Sequence, residues 1–176
     1  MSQYVALLRG INLGARHKVP MADLRELLGG AGYENVRTLL QSGNVVFESD
    51  ETADALERAL ASLIGERFGF AVPVIVRTAE ELRDVVASDP LAAVASDPKR
   101  YAVVFLSAEP NADALGQVAA RFAENHFAVR GREIYAWNPD GLTGSGLMQA
   151  LGKAELAPVN TVRNWATVTK LAAMLD

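Results

Sequence analysis

The order in which strand-like and helix-like segments alternate along residues 1–78 restricts the fold more than any other feature of the chain. Short apolar runs are in the length range of strands, and apolar residues three and four positions apart indicate amphipathic helices. In chain order the segments are a strand at 4–9, a helix within 19–33, two strands within 36–48, a helix with its apolar face at 56–68, and a strand at 72–78. This order predicts an α+β lobe of the ferredoxin-like (split βαβ) kind.

Two local signals support these assignments. The sequence QSGN at 41–44 supplies the glycine and asparagine of a tight reversal, so it predicts the hairpin turn. Ser49 or Asp50 is a candidate N-cap for the second helix, and Gly69 ends it.

The second half of the chain nearly repeats this plan. Thr78 and Glu81 form a predicted capping box, which begins a helix and connector over residues 79–100. A second α+β lobe is predicted over 101–176, with a strand, a helix at 111–124, a hairpin about Arg130 and Gly131, and two C-terminal helices at 146–156 and 160–175. This interpretation leaves the second lobe without a final strand. The chain is therefore expected to have two similar lobes with a cleft between them.

Composition excludes several classes of protein. Half of the residues are apolar, no run reaches the ~20 apolar residues of a membrane-spanning helix, and the N-terminus lacks the pattern of a signal peptide, so we expect a cytoplasmic protein that does not bind membranes. The chain contains no cysteine, which rules out a disulfide framework, a thiol nucleophile and an iron–sulfur cluster. His17 and His126 have no partner at metal-ligand spacing, so no metal site and no cofactor are predicted.

Charge is divided unevenly along the chain. The net charge is −4, but the first 22 residues contain Arg9, Arg16 and Lys18 and no acid, and the rest of the chain carries −7. A second acid-free window, residues 156–175, contains Arg163 and Lys170. A general nucleic-acid binder carries a strongly basic domain, so tight non-specific binding to nucleic acid is not expected.

The glycine-containing segment RGINLGARHK, residues 9–18, follows the first strand and precedes the first helix. It does not have the spacing of a phosphate-binding Walker loop, because Ala15 occupies the position of the second glycine and Val19 follows Lys18. The dinucleotide-binding pattern G-x-G-x-x-G is also absent. Binding of an anion at the start of the following helix stays possible in this interpretation.

Three blocks, LLRGINLGARHKVPM, LLQSGNVVF and TVRNWATVTKL, resemble the bacterial family known as domain of unknown function 1697. The resemblance implies a two-lobed α+β fold and implies no particular reaction. By position it points to signature residues in each block: Arg9, Gly10, Asn12, Gly14, Lys18 and Pro20; Gln41, Ser42, Gly43 and Asn44; Arg163, Asn164, Trp165 and Thr167. This chain departs from the family pattern at Ala15 and His17, and at Gly146, where the family usually has a basic residue.

These residues favour recognition of a small anionic ligand, phosphorylated or nucleotide-like. Arginine and lysine supply cations and the amides and hydroxyl supply neutral donors and acceptors, but the blocks contain no carboxylate that could act as a general base. The predicted ligand-binding residues are Arg9, Asn12, Lys18, Gln41, Ser42, Asn44, Arg163 and Asn164, which we expect to converge on one depression. No catalytic residue is predicted, and whether the protein is an enzyme stays open.

Other interpretations stay open beside this one. Ferredoxin-like sheets host RNA-binding modules, and a protein-interaction role without catalysis is a further alternative. The residues also have structural interpretations, since QSGN can be only a turn, Trp165 a core anchor, and Arg9 the partner of an acid such as Glu48 across the sheet.

Overall fold

The structure, a computed structural model, describes residues 1–122 and 126–176. It divides the chain into two compact units, one formed by Met1–Asp84 with Leu171–Asp176 and the other by Val85–Lys170. The fold is α+β, with two similar lobes that each contain a four-stranded antiparallel sheet and flanking helices. The predicted fold class is confirmed. Among the described residues, no helix combines the length and the hydrophobicity needed to cross a membrane.

The first unit has the predicted ferredoxin-like order. Its elements are β1 (Ser2–Leu8), α1 (Met21–Gly30), β2 (Glu34–Leu39), β3 (Asn44–Ser49), α2 (Ala53–Phe68) and β4 (Val74–Thr78), followed by α3 (Ala79–Ala87). The sheet order is β2-β3-β1-β4, so β1 lies between β3 and β4. Alternate residues of the central strands, such as Tyr4 and Phe47, join Leu24, Leu56 and Leu60 of the two helices in one core.

The start of α2 differs from the prediction. Thr52 is the N-cap, and its side chain accepts a hydrogen bond from the Ala55 N–H at 3.3 Å. Ser49 instead accepts from the Glu51 N–H at 3.1 Å, which closes the turn before the helix. Neither Ser49 nor Asp50 therefore caps the helix, because the chain makes one more turn before the helix begins.

The predicted capping box is present. The backbone N–H of Thr78 donates to Glu81 at 2.8 Å, and the N–H of Glu81 donates to the Thr78 hydroxyl at 3.1 Å. These two bonds satisfy donors that a helix N-terminus leaves without intrahelical partners, so α3 can begin directly at the end of β4.

The second unit contains the other sheet. Its elements are β5 (Tyr101–Leu106), α4 (Ala112–Ala119), β6 (Phe127–Arg130), β7 (Glu133–Trp137), α5 (Gly146–Lys153), β8 (Asn160–Asn164) and α6 (Trp165–Ala173), the last residues of α6 grouping with the first unit. The sheet order is β6-β7-β5-β8, and α4 and α5 pack on one of its faces. The helix predicted over 111–124 ends at Ala119, and residues 123 and 124 lie outside the described residues.

The prediction that this lobe lacks a final strand is wrong. Residues Asn160–Asn164, which were predicted to belong to a C-terminal helix, form β8 and pair antiparallel with β5, with Val103 opposite Arg163. Thr161 and Arg163 are buried and Val162 is 38% exposed, which is the two-residue period of a strand. The helix begins only at Trp165, directly after the strand.

Candidate functional site

The segment that connects β1 to α1, residues 9–19 and here called the basic loop, is anchored to both neighbours of β1. The Leu8 N–H donates to the Gly43 carbonyl at 2.9 Å, and the Arg9 N–H donates to the Pro73 carbonyl at 3.0 Å. The backbone of Arg9 is thus held at the end of the central strand β1, although its side chain is exposed.

Asn12 organises the basic loop through its side-chain amide. Its Nδ2 donates to the carbonyl oxygens of Val19 at 2.9 Å and Gln41 at 2.7 Å, and its Oδ1 accepts from the Val19 N–H at 2.8 Å. Its backbone N–H donates to the His17 carbonyl at 3.0 Å. Both amide hydrogens are used within the protein, so Asn12 closes the loop and ties it to the β2–β3 turn.

Three cations project from this closed loop. Arg9, Arg16 and Lys18 are all exposed, and none of them forms an ion pair within the described part of the chain. His17, between two of them, stacks on Phe70 with ring centroids 4.5 Å apart and planes 16° apart. The loop therefore presents positive charge on a backbone fixed by hydrogen bonds and by this ring contact.

The sheet register excludes Glu48 as the partner of Arg9. Gln3 is opposite Glu48, and Leu7 is opposite Asn44. Arg9 lies two residues beyond Leu7, so about 20 Å of strand separates it from Glu48. Glu48 is therefore not the acid that pairs with Arg9.

The β2–β3 turn, residues 40–43, lies beside the basic loop. Its Gln41 and Ser42 side chains are exposed, whereas Asn44 is fully buried and donates from Nδ2 to the Leu39 carbonyl at 2.7 Å and to the Ser42 Oγ at 2.9 Å. Asn44 thus shapes the turn from inside, and Gln41 and Ser42 are the turn residues with exposed polar side chains.

Gly43 is required by its surroundings. Its φ is +87°, and a Cβ at this position would lie 2.8 Å from both the Leu8 Cβ and the Ile11 Cδ1. Any side chain would be strained and would collide with the core beneath the loop. The glycine of QSGN therefore allows the turn to approach β1 closely.

The third block lies in β8 and α6. Arg163 is 7% exposed, and its guanidinium donates to the Thr161 hydroxyl at 2.8 Å and to the Val162 carbonyl at 2.9 Å. Burial lowers the pKa of Arg163 to about 10, so it is still protonated at neutral pH. The convergence of Arg163 and Asn164 with the basic loop stays a prediction.

Asn164 and Trp165 have clear local roles. The Asn164 Oδ1 accepts from the Thr167 N–H at 2.9 Å, which makes Asn164 the N-terminal cap of α6. Trp165 packs against Tyr101 with ring centroids 4.9 Å apart and against Tyr135 at 6.2 Å. The sequence carries the signal for this cap, since asparagine precedes the helix by one residue, but the assignment of 160–164 to a helix concealed it.

Sequence reasoning also missed that two leucines, one in the basic loop and one in the adjoining turn, are exposed. Leu13, at the tip of the basic loop, is 75% exposed, and Leu40, in the adjoining turn, is 53% exposed with φ +61°. Within residues 1–122 and 126–176, no group of three histidine or acidic residues is placed to hold a metal ion.

Fold and site together define a class of protein: a two-lobed α+β chain with a ferredoxin-like first lobe and a carboxylate-free basic loop, closed by hydrogen bonds, at one end of its sheet. The chain belongs to the family described as Protein of unknown function (DUF1697), whose model matches residues 1–135. That range includes the basic loop and the β2–β3 turn but ends before Arg163 and Asn164.

A solved structure supports the architecture over the full length. The conserved bacterial protein SP0830 from Streptococcus pneumoniae is similar, with a TM-score of 0.78 and 23% sequence identity over 99% of each chain. At this identity the likeness shows the fold alone. No curated protein matches this sequence.

Proposed function

We propose that the basic loop and the adjoining β2–β3 turn bind a small anionic ligand, phosphorylated or nucleotide-like. The observation that carries the proposal is that Arg9, Arg16 and Lys18 are exposed without an ion pair in the described chain, on a loop that the hydrogen bonds of Asn12 close. Preorganised cations lose little conformational entropy on binding, so such a loop is suited to an anion.

Arg9 is the principal contact in this proposal. Its backbone is fixed by the bond to Pro73, and its planar guanidinium can present two donors to one phosphate or carboxylate. Lys18 adds an ammonium group, and the exposed side chains of Gln41 and Ser42 add neutral hydrogen-bonding groups at the same end of the sheet.

The start of α1 adds further donors. Pro20 is the N-cap residue and forms no side-chain capping bond, so the first backbone N–H groups of α1 are not capped by a side chain. These groups carry the positive end of the helix dipole, and they follow directly on the basic loop. The described loop and turn hold no carboxylate to serve as a general base, so the proposal is for binding, and no reaction is assigned to this surface.

The RNA-binding alternative has less support. An RNA-recognition sheet stacks bases on aromatic residues of its open face. In this unit the central-strand aromatics Tyr4 and Phe47 are buried in the core with the helices, and the other face carries Val5, Val46 and Arg77, which are buried and not aromatic. A protein-interaction role keeps some support from Leu13 and Leu40, but three cations beside them favour an anionic ligand.

A thermal-shift screen with pyrophosphate, nucleotides and phosphorylated sugars tests the proposal. At a ligand concentration ten times Kd, binding stabilises the native state by about 1.4 kcal/mol, which raises Tm by roughly 3 to 5 °C. We expect Arg9→Ala to abolish this shift and leave the Tm of the free protein nearly unchanged, because the side chain is exposed and forms no ion pair with any residue of 1–122 or 126–176.

Arg16→Ala is the matched control, since it removes the same charge from the middle of the same loop and should reduce the shift only slightly. The proposal fails if no anion in the screen raises Tm. It also fails if Arg9→Ala lowers the Tm of the free protein and leaves the ligand-induced shift intact, because Arg9 would then be structural.

A further inference from the structure

A second candidate site lies wholly within the second unit, in a cavity of about 330 Å³ between the end of β7 and the beginning of α5. It is formed by the segments YAWNPDG and LTGSGLM, which the proposed function does not use. The lining side chains that matter here are Phe122, His126, Trp137, Asp140 and Ser145, together with Gly146.

Hydrogen bonds to Asn138 fix the wall of this cavity. The Asn138 Nδ2 donates to the carbonyl oxygens of Ala136 at 3.1 Å and Arg100 at 3.2 Å, and its Oδ1 accepts from the Ser145 hydroxyl at 2.5 Å. Ser145 in turn accepts from the Met148 N–H at 3.2 Å and caps α5. The loop from 138 to 145 is closed on itself, so the cavity is formed without a ligand.

Aromatic rings are concentrated at this cavity. Its lining includes one of the two tryptophans of the chain, one of the two histidines, and Phe122, although Phe, Trp and Tyr together make up only 7% of the sequence. The remaining tryptophan, Trp165, is packed against Tyr101. Such a lining favours a planar ring, because flat π-surfaces stack and exclude water from both partners.

The charged residues at the cavity indicate that a bound ring would be uncharged. Asp140 is the only Lys, Arg, Asp or Glu among the described lining residues, so the cavity does not attract an anion by charge. The Arg121 guanidinium lies 5.6 Å from the Phe122 ring centroid and outside the lining, which disfavours a cation on that ring. The Asp140 carboxylate and the His126 imidazole provide hydrogen-bonding groups for ring N–H and ring nitrogen.

We infer that this cavity binds an uncharged planar heteroaromatic ring of the nucleobase kind, with Trp137 and Phe122 as its stacking surfaces. The volume is at the lower end of the ~300–1,000 Å³ found for ligand pockets, so it accommodates one ring system and not a dinucleotide. The inference concerns a different unit from the basic loop, and it does not depend on the function proposed above.

The intrinsic fluorescence of Trp137 provides the test. In Trp165→Phe, Trp137 is the single tryptophan, and we expect adenosine, uridine and nicotinamide, all uncharged, to include at least one compound that saturably quenches its emission. Ribose, which lacks the ring, should leave the emission unchanged. Equilibrium dialysis of the same compounds against the wild-type protein gives an independent measurement should Trp165→Phe not fold.

A cavity-filling variant and its control identify the site. A Cβ at Gly146 would meet only the Phe122 Cε1, at 3.9 Å, so Gly146→Leu fills the cavity without strain in the helix. Gly152→Leu is the matched control on the same helix, at a position where a Cβ has no neighbour within 4 Å. We expect Gly146→Leu to weaken ring binding by about tenfold or more and Gly152→Leu to leave it unchanged.

Three results would overturn the inference. The first is that none of the three rings binds to the wild-type protein or quenches Trp137. The second is that ribose quenches as strongly as the rings. The third is that Gly146→Leu binds the rings as tightly as Gly152→Leu, which would place the binding elsewhere.

Discussion

At the scale of single residues, the family signature separates into residues that build the loops and residues that the loops display. Asn12 and Asn44 direct their side-chain amides inward to backbone carbonyls. Gly43 lies so close to Leu8 that a Cβ on it would collide with the Leu8 side chain. Arg9 and Lys18, by contrast, are exposed without an ion pair in the described chain. The first group explains how the surface is shaped, and the second supplies the positive charge on which the proposed anion binding depends.

Substitution of Gly43 tests the loop-building part of this account. Gly43→Ala should lower the free energy of unfolding by about 3 kcal/mol, because a left-handed φ and a collision with Leu8 and Ile11 add together. Gly14→Ala is the control: its φ is +70° but a Cβ there meets nothing within 4 Å, so we expect a loss of about 1 kcal/mol. Urea unfolding followed by circular dichroism measures both, and equal losses would contradict the close approach.

The sequence alone does not distinguish a residue that builds the loop from one that contacts a ligand. An asparagine amide can bond to a ligand or to a backbone carbonyl, and the two cases look the same in a sequence. The partners of Asn12 lie 7 and 29 residues away, at Val19 and Gln41, so its role depends on the tertiary fold. For the three cations of the basic loop, the sequence alone is sufficient, because the loop contains no acid with which they could form a local ion pair.

At the scale of elements, segments with strong local signals were predicted correctly. The β2–β3 hairpin has a turn sequence suited to its geometry, and the capping box of Thr78 and Glu81 involves residues only three apart. β8 was missed because it contains a single apolar residue in five, Val162, and runs into α6 without a break. Its pairing with β5 is a long-range contact that periodicity cannot show.

The cap of α6 yields a test that separates a structural role of Asn164 from a ligand contact. Asn164→Ala should cost about 1 kcal/mol of stability, because the Thr167 N–H loses its acceptor. Asn164→Asp should retain the stability, since a carboxylate oxygen accepts the same bond and suits a helix N-terminus. Chemical denaturation measures this difference, and an unchanged stability in Asn164→Ala would refute the cap.

The same two variants also test the predicted ligand contact. If Asn164 contacts the anion, Asn164→Asp places a negative charge beside it, and the anion-induced thermal shift disappears although the protein is stable. A normal shift in Asn164→Asp would remove Asn164 from the site.

At the scale of the whole molecule, charge is distributed in a way that suits a small anion and not a polyanion. The first 22 residues carry +3 within a chain of net charge −4. A long polyanion would meet the acidic remainder of the chain as well as the loop, whereas a small anion needs only the loop.

This distribution predicts weak binding to nucleic acid. For mixed-sequence duplex DNA and unstructured RNA at physiological salt, we expect a Kd no tighter than about 1 µM, because few cations are available to release counterions. Fluorescence anisotropy titration measures it at several salt concentrations. Sub-micromolar binding with a steep salt dependence would promote the RNA-binding alternative over the small-anion proposal.

The central claim is that the basic loop is an anion site, and the most direct measurement is a titration of the ¹⁵N-labelled protein with pyrophosphate followed by two-dimensional amide NMR. We predict saturable shifts of the amide signals of residues 9–19 and 40–43, and their loss in Arg9→Ala/Lys18→Ala, whose spectrum without ligand should otherwise resemble the wild type. A spectrum that does not respond to pyrophosphate, or shifts confined to residues outside these two segments, would contradict the account.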